Sequence, residues 1–324
     1  MVSVHASTPY TRPEASPRLR RFVDEVGTTG PVRVVGGRTQ WTIGRRPATS
    51  TQASKSTQAS ESVRDIDAPD GVVEVQASEL IVRCGAGTPV AALDVALAEH
   101  GLQCPLDPAD PDRATVGGVL SVGHSGVRRL RHGHIRDLLL EAQYVSADGL
   151  LRRAGAPVVK NVSGFDVCRM LVGSLGTLAM IGEVVLRCQP APEERRWLTA
   201  EVDPWAVRRT LFRPSTILWD GRQTWVQIEG TSAEVTVEVA ALPGSGWEEC
   251  AAPALPQGRG SVEPATIRSL PASGQTGWMA ELGTGTVHGY VAHHVLAPEV
   301  IEMNRKVKDV FDPDGRCNPG VLPW

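Results

Sequence analysis

Apolar and polar positions alternate along this chain in short blocks, and glycine or proline separates most of them. Leu19 to Val26 predicts a short helix stopped by Gly27. Val32 to Val35 predicts a strand closed by the turn Gly36-Gly37-Arg38-Thr39. Val72–Val75 and Leu80–Cys84 read as two further strands. The next helix has Thr88 as N-cap and Pro89 in its first turn, with Val90, Leu93 and Leu97 on one face and Gly101 as its stop. Leu138–Val145 predicts a buried strand, Ala147-Asp148-Gly149 a hairpin turn and Leu150–Arg152 the return strand. Asp166–Val172 suits one or two helical turns, and Leu178–Leu186 one or two closing strands. Past Pro190 the texture changes and tryptophans become frequent. There Trp225–Glu229 and Val235–Val239 alternate with period two and predict strands of a half-exposed antiparallel sheet. Pro204–Leu211 predicts a helix on that sheet, 251–260 a loop, and Pro298–Val310 a terminal helix. This mixture has no βαβα rhythm, so the expected class is α+β rather than doubly wound.

The expected organisation is a disordered N-terminus over 1–17, a first domain over 18–190, a second over 191–297, and a helix and tail over 298–324 that return to the first. A Ser/Thr/Gln/Ala segment at 48–62 reads as a flexible insertion. At 324 residues with net charge -3, the chain gives no general attraction to nucleic acid or anionic lipid. Its six cysteines are scattered, without the spacing of a zinc or iron–sulfur site. No h-region or membrane-length apolar stretch stands out, so a cytoplasmic protein is expected, touching membrane only peripherally through partners.

The chemistry concentrates in Ala114–Pro190, where glycines punctuate short apolar runs. Glycine at that density signals close backbone approach or positive φ at several points. Upstream, the strand followed by Gly36-Gly37-Arg38-Thr39 presents consecutive backbone N–H groups, which suit either a phosphate nest or an ordinary loop. The G-x-G-x-x-G fingerprint of a nicotinamide βαβ unit is absent there.

Six motifs occur in order: Gly-Gly-x-Thr at 36–39, Ala-Gly at 86–87 with Leu93, Thr-Val-Gly-Gly at 115–118, Lys-Asn-Val-Ser-Gly-Phe-Asp at 160–166, Gly-Ser-Leu-Gly-Thr-Leu at 173–178, and the tail Phe311-Asp-Pro-x-Gly-x-x-Asn318-Pro-Gly. Together they resemble the FAD-binding oxidoreductases of the vanillyl-alcohol oxidase (PCMH) type. Within that superfamily the short second part is most similar to the smaller flavin subunits of bacterial glycolate oxidases. The resemblance implies a two-subdomain PCMH-type FAD-binding domain under a short α+β cap with an antiparallel sheet. It implies that Gly36, Gly37, Arg38 and Thr39 meet the pyrophosphate. It also implies that Thr115, Gly117, Gly118, Gly123, Ser125 and Gly126 line the flavin and ribityl chain. Gly176, Thr177 and Ile181 would pass the adenine half and return below the isoalloxazine. Arg38 stands where many relatives have a third glycine: either it bears about 1 kcal/mol of left-handed strain, or its guanidinium reaches a phosphate. Since no histidine lies near Gly36, the FAD is expected to be non-covalent.

Hydroxy-acid oxidation needs a base for the hydroxyl proton and cations for the carboxylate. The base candidate is His288, in what resembles a degraded Gly-His-x-Gly-Asp-Gly-Asn-x-His motif of related D-lactate dehydrogenases; a hydrogen-bonded structural role fits it equally. Glu281 and Thr284 replace the motif's first His and its Asp, so no metal is expected. Asn318 is a second candidate, facing the flavin, and Lys306 is expected to pack on the FAD domain. His132, His134, His293 and His294 lack acidic partners nearby in sequence and read as surface or core residues. The implied partners are a larger flavin subunit, an iron–sulfur subunit and a small 2-hydroxy acid such as glycolate. The alternatives are a non-catalytic assembly subunit and a stand-alone dehydrogenase.

Overall fold

The computed structural model describes residues 15–44, 62–157, 166–274, 276–289 and 296–322. Nearly all of the N-terminal segment and of the Ser/Thr/Gln segment, the 160–165 motif, and His293 and His294 lie outside the described residues.

Helix α1 (Pro17–Val26) starts two residues ahead of the expected Leu19, because Ser16 Oγ accepts from Leu19 N at 3.0 Å and proline stands in the first turn. It buries Leu19, Phe22 and Val26 on one face. Strand β1 (Val32–Val35) pairs in parallel with β2 (Arg64–Asp67), placing the Gly36-Gly37 turn at the end of a two-stranded ribbon.

Then β3 (Val72–Gln76), β4 (Ile81–Gly85), β6 (Leu139–Val145), β7 (Leu151–Gly155) and β8 (Met180–Arg187) form a five-stranded antiparallel sheet ordered β3-β4-β8-β6-β7. The short strands β5 (Leu102–Gln103) and β9 (Gln189–Pro190) pair separately beside it. Helix α2 (Val90–Ala98) buries Val90, Leu93 and Leu97 against the sheet's core. Thr88 is not its N-cap: that place is taken by Pro89, and the Thr88 hydroxyl donates backwards to Gly85 O at 2.7 Å. Helix α3 (Val116–Val122), the single turn α4 (Arg129–His132) and α5 (Val167–Leu171) complete this half.

In the second half, β10 (Glu194–Ala200), β11 (Thr216–Trp219), β12 (Thr224–Gly230), β13 (Glu248–Cys250), β14 (Arg259–Ser261), β15 (Met279–Glu281) and β16 (Thr286–His288) form one antiparallel sheet ordered β13-β10-β12-β11-β15-β16-β14. Helices α6 (Pro204–Thr210) and α7 (Ser232–Ala240) contribute to its separate core. In that core Trp219 meets Trp205 and Trp278 edge-on at 5.1 and 5.5 Å.

Val235–Val239 is therefore helix, not the strand its alternation predicts. Thr231 and Glu234 form a capping box that starts α7. Val235 and Val239 are four residues apart and share its inner face, while Val237 between them is 67% exposed. A period-two pattern over five residues also fits one side of a helix.

Helix α8 (Pro298–Phe311) returns the chain to the first half, where Val307 and Phe311 pack on the first core. The following tail is pinned by Arg316. Its guanidinium donates to five backbone carbonyls, those of Gly30, Ala147, Val26, Gly27 and Thr29. Two residues on, Asn318 N donates to Val32 O at 2.9 Å, which sets the tail beside β1.

Candidate functional site

Four segments converge on a cleft containing about 1020 Å³ of open space: residues 33–41 at the end of β1, Thr115–Val122 around α3, Leu175–Ile181 leading into β8, and Asn318 in the tail. Gly36, Gly37, Arg38, Thr39, Thr115, Gly117, Gly118, Gly176, Ile181 and Asn318 all line this cleft.

The reason for glycine is local. A Cβ on Gly37 would stand 1.6 Å from Arg113 O, and one on Gly36 would stand 2.3 Å from Thr115 Oγ1. These glycines let the 36–39 turn lie directly against the segment that opens α3. Thr115 Oγ1 accepts from Gly118 N at 3.2 Å and caps α3, while Gly117 N donates to Ala86 O at 2.7 Å.

Three non-glycine residues around the cleft hold left-handed backbone: Arg38 (φ 56°), Leu175 (φ 54°) and Asn318 (φ 44°). Such positions each cost on the order of 1–3 kcal/mol and cluster where geometry serves a ligand. Arg38 adopts the strained conformation, and its guanidinium meets Asp65 at 3.2 Å and the Trp41 ring at 4.7 Å. Arg33 engages the same two groups.

Two buried acceptors on these segments, Gln40 Oε1 and Asn318 Oδ1, have no protein partner, although Asn318 Nδ2 donates to Leu175 O at 2.6 Å. A buried acceptor left open is costly unless a ligand or water donates to it. The glycine-built walls, the basic mouth and these open acceptors fit a polar, phosphate-bearing, hydrogen-bonding cofactor such as FAD.

Gly123, Ser125, Gly126 and Thr177 do not line the cleft; they brace it from behind. Gly123 ends α3 with φ 73° against Gly173, Gly126 presses on Asp107, and Ser125 Oγ accepts from Ile135 N at 3.0 Å. Buried Thr177 donates to Ser174 O, and its own carbonyl receives Lys308 Nζ at 2.6 Å. Lys308 thus joins α8 to the cleft wall, whereas Lys306 is exposed beside Glu302.

His288 lies away from the cleft lining, on β16 beside β15 and β14. Its Nε2 bonds Glu281 Oε1 at 2.7 Å, and Thr284 Oγ1 donates to Glu281 Oε2 at 3.0 Å. A seam between the two halves faces this pair. His124 follows Val122 and Gly123 out of α3, and the Ser125–Ile135 bond sets it beside His134. His124 is open to solvent, yet surrounding protein bulk, then the charges of Arg259, His134 and His288, hold its pKa down at about 4. Burial, then Arg129, lower that of His134. Arg259, paired in register with His288 across β14–β16, is lowered by burial first, with Glu281 opposing and Arg129 adding.

The seam is locked by Glu229 on β12, 2% exposed and reached by Arg128, Arg131, His132 and Arg195. Burial alone would raise its carboxyl; the His132 hydrogen bond and the charges of Arg128, His132 and Arg195 outweigh that and hold it well below the usual carboxylate range. His132 therefore does have an acidic partner, one that stands 97 residues away in sequence.

Among the described residues no helix is long and apolar enough to cross a membrane.

Residues 10–155 match the family described as FAD binding domain, and residues 279–322 match FAD linked oxidases, C-terminal domain. The chain is 28% identical over 190 residues to glycolate oxidase subunit GlcE of Escherichia coli strain K12, covering 56% of this chain and 54% of that protein. It is 40% identical over 118 residues to the D-lactate dehydrogenase of Archaeoglobus fulgidus, covering 36% of this chain and 26% of that one. The match thus spans about half of one relative and a quarter of the other. In fold it is similar to a solved alkyldihydroxyacetonephosphate synthase, with TM-score 0.67 and 16% identity over 95% of this chain and 75% of that one. The chain thus carries an FAD binding domain and the C-terminal domain of FAD linked oxidases, with FAD as its cofactor.

Proposed function

We propose that this chain is the FAD-binding subunit of a glycolate oxidase or dehydrogenase complex. The complex oxidises glycolate, or a similar D-2-hydroxy acid, to the 2-oxo acid and passes electrons through a larger flavin subunit to an iron–sulfur partner. It works in the cytoplasm and meets membrane only through those partners. The observation that carries this reading is the adjacency of cleft and seam: Val122 lines the first, and His124, two residues on, interacts with Arg259 and His288 in the second.

FAD bound in the cleft supplies the two-electron acceptor for the hydride equivalent leaving the hydroxyl-bearing carbon. The backbone N–H groups of the 36–39 turn hold its pyrophosphate, with Arg33 and Arg38 supplying positive charge. Gln40 Oε1 and Asn318 Oδ1 accept hydrogen bonds from it. None of the described residues lining the cleft is His, Cys or Tyr, which supports a dissociable cofactor. Arg259 attracts the substrate carboxylate. With Nε2–H donating to Glu281, His288 has Nδ1 left to take the hydroxyl proton. The relatives' names support the substrate class: one is a glycolate oxidase subunit and another a D-lactate dehydrogenase.

The test is anaerobic addition of glycolate or D-lactate to the FAD-loaded chain, alone and with the partner subunits, following the flavin's visible absorbance. Bleaching under either condition is expected. Bleaching of the lone chain would remove the assembly-only alternative, and bleaching only with partners would remove the stand-alone enzyme. A flavin that stays oxidised under both conditions would refute the substrate assignment.

A further inference from the structure

Beside the basic mouth of the cleft stands a carboxylate that opposes the charge of the cofactor. Among the described residues lining the cleft, the charged ones are Arg33 and Arg38; none is Asp or Glu. Asp65 on β2 holds both arginines from outside that lining. Its two oxygens are divided unequally. Oδ1 takes Arg33, which stands in register with Asp65 across the parallel ribbon, through Nε at 2.8 Å and Nη2 at 2.6 Å. Oδ2 takes Arg38 through Nη2 alone, at 3.2 Å. Two nitrogens fix the Arg33 guanidinium, whereas one contact on a side chain that is 54% exposed holds Arg38 weakly.

Arg38 is also strained where it stands. Its backbone is left-handed, with φ 56°, a conformation that glycine adopts without penalty. Its contacts do not account for that strain. Asp65 already has Arg33, and the Trp41 ring, 4.7 Å from the Arg38 guanidinium, already has Arg33 at 5.0 Å. What Arg38 adds is a second positive charge at the cleft, on a guanidinium whose other N–H groups have no hydrogen-bond partner among the described residues. Two guanidiniums less one carboxylate leave a single positive charge to meet a doubly charged pyrophosphate.

We infer that Asp65 sets the affinity for FAD by competing for Arg38: the Arg38 guanidinium exchanges its one contact to this carboxylate for the pyrophosphate, while Arg33 stays on Asp65 and keeps it in place. The inference rests on the pyrophosphate lying at the 36–39 turn, as proposed above. Asp65 is then a residue with which the chain weakens its own hold on FAD and keeps the cofactor exchangeable.

The test is FAD titration of the unmutated chain, Asp65→Asn, Arg38→Gly and the double variant, read by flavin fluorescence at low and high ionic strength, with each variant checked for melting temperature. Asp65→Asn keeps the shape of the side chain and removes its charge. It binds FAD about three- to tenfold tighter at low salt, and its affinity falls more steeply as salt is added. Arg38→Gly binds FAD more weakly by a similar factor, although glycine relieves the backbone. In the double variant the gain from Asp65→Asn shrinks to within about twofold, because the released guanidinium is missing. A purely structural Asp65 gives the opposite sign, since losing it loosens the ribbon and FAD together. Unchanged or weaker binding in Asp65→Asn would overturn the inference and leave the FAD cleft standing, and so would a gain that persists undiminished in the double variant. An unmutated chain without saturable FAD binding would overturn both the inference and the placement on which it rests.

Discussion

The 36–39 turn is built by two close approaches of different kinds, and a pair of alanine substitutions separates them. A Cβ at position 37 would meet the backbone of Arg113, 1.6 Å from its oxygen and 2.4 Å from its carbon. Backbone has no rotamer with which to yield. Restoring an ordinary contact of 3.4 Å displaces the turn by about 1.8 Å, away from the place assigned to the pyrophosphate. At position 36 the nearest atoms belong to the Thr115 side chain, with Oγ1 at 2.3 Å, Cγ2 at 3.2 Å and Cβ at 3.3 Å. Overpacking of this kind costs about 1–3 kcal/mol, or roughly 5- to 150-fold in affinity if it falls on the bound state. FAD titration of the apo chain, followed by flavin fluorescence, reads the effect. Both Gly36→Ala and Gly37→Ala weaken FAD at least about fivefold. Adding Thr115→Ala removes Oγ1 and Cγ2, so it restores most of the affinity to Gly36→Ala and none to Gly37→Ala. The pattern is a double-mutant coupling present in one pair and absent in the other. Equal rescue of both, or FAD affinity within twofold of the unmutated chain in Gly37→Ala, would refute this construction of the cleft.

Arg316→Met leaves the carbonyls of Gly27, Gly30 and Ala147 without their donor, while those of Val26 and Thr29 keep Arg64, and should destabilise the chain by about 3 kcal/mol, a fall in melting temperature on the order of 5 °C that calorimetry detects; it should also loosen FAD, because Asn318 loses its anchor. Glu229→Gln removes the carboxylate shared by Arg128, Arg195 and His132, leaving Arg128 only Asp107, and should cost about 3 kcal/mol in urea unfolding, while Arg222→Gln, a change at an exposed ion pair, leaves the unfolding midpoint essentially unchanged. For His124 the folded pKa of about 4 lies below the ordinary 6.5, so the unfolded chain binds the extra proton. Its contribution to stability is complete above pH 6.5 and is lost as pH falls towards 4; His124→Gln should flatten the stability profile across that window, and an unchanged slope would count against the assignment.

Most of the cofactor half was legible in the sequence because its signals are local. A strand ending in Gly36-Gly37, the Thr-Val-Gly-Gly stretch at 115–118 and the glycine turns each mark their geometry within a few residues, and Gly36, Gly37, Thr115, Gly117 and Gly176 do meet at one cleft. Local signals misled where two periods coincide, as at Val235–Val239, and where a hydroxyl turned backwards, as at Thr88. The same density of glycine also marked Gly123 and Gly126, whose small size serves packing behind the cleft. The substrate side was hardly legible. His288 was singled out, but Arg259, Arg129, His124 and His134 converge only through long-range pairing, and no spacing in the chain announces them. Glu229 and Arg316 were missed for the same reason: their partners stand about 100 and nearly 300 residues away. Lys308 alone had a readable cue, its i,i+4 relation to Asp312 at the end of α8.

The most direct test of the central claim is a titration of the purified apo chain with FAD, read by quenching of flavin fluorescence and completed by acid precipitation of the saturated protein. One FAD should bind per chain, and all of it should appear in the supernatant after precipitation. Absence of saturable binding would contradict the cleft as an FAD site, and flavin remaining on the precipitated polypeptide would contradict a dissociable cofactor.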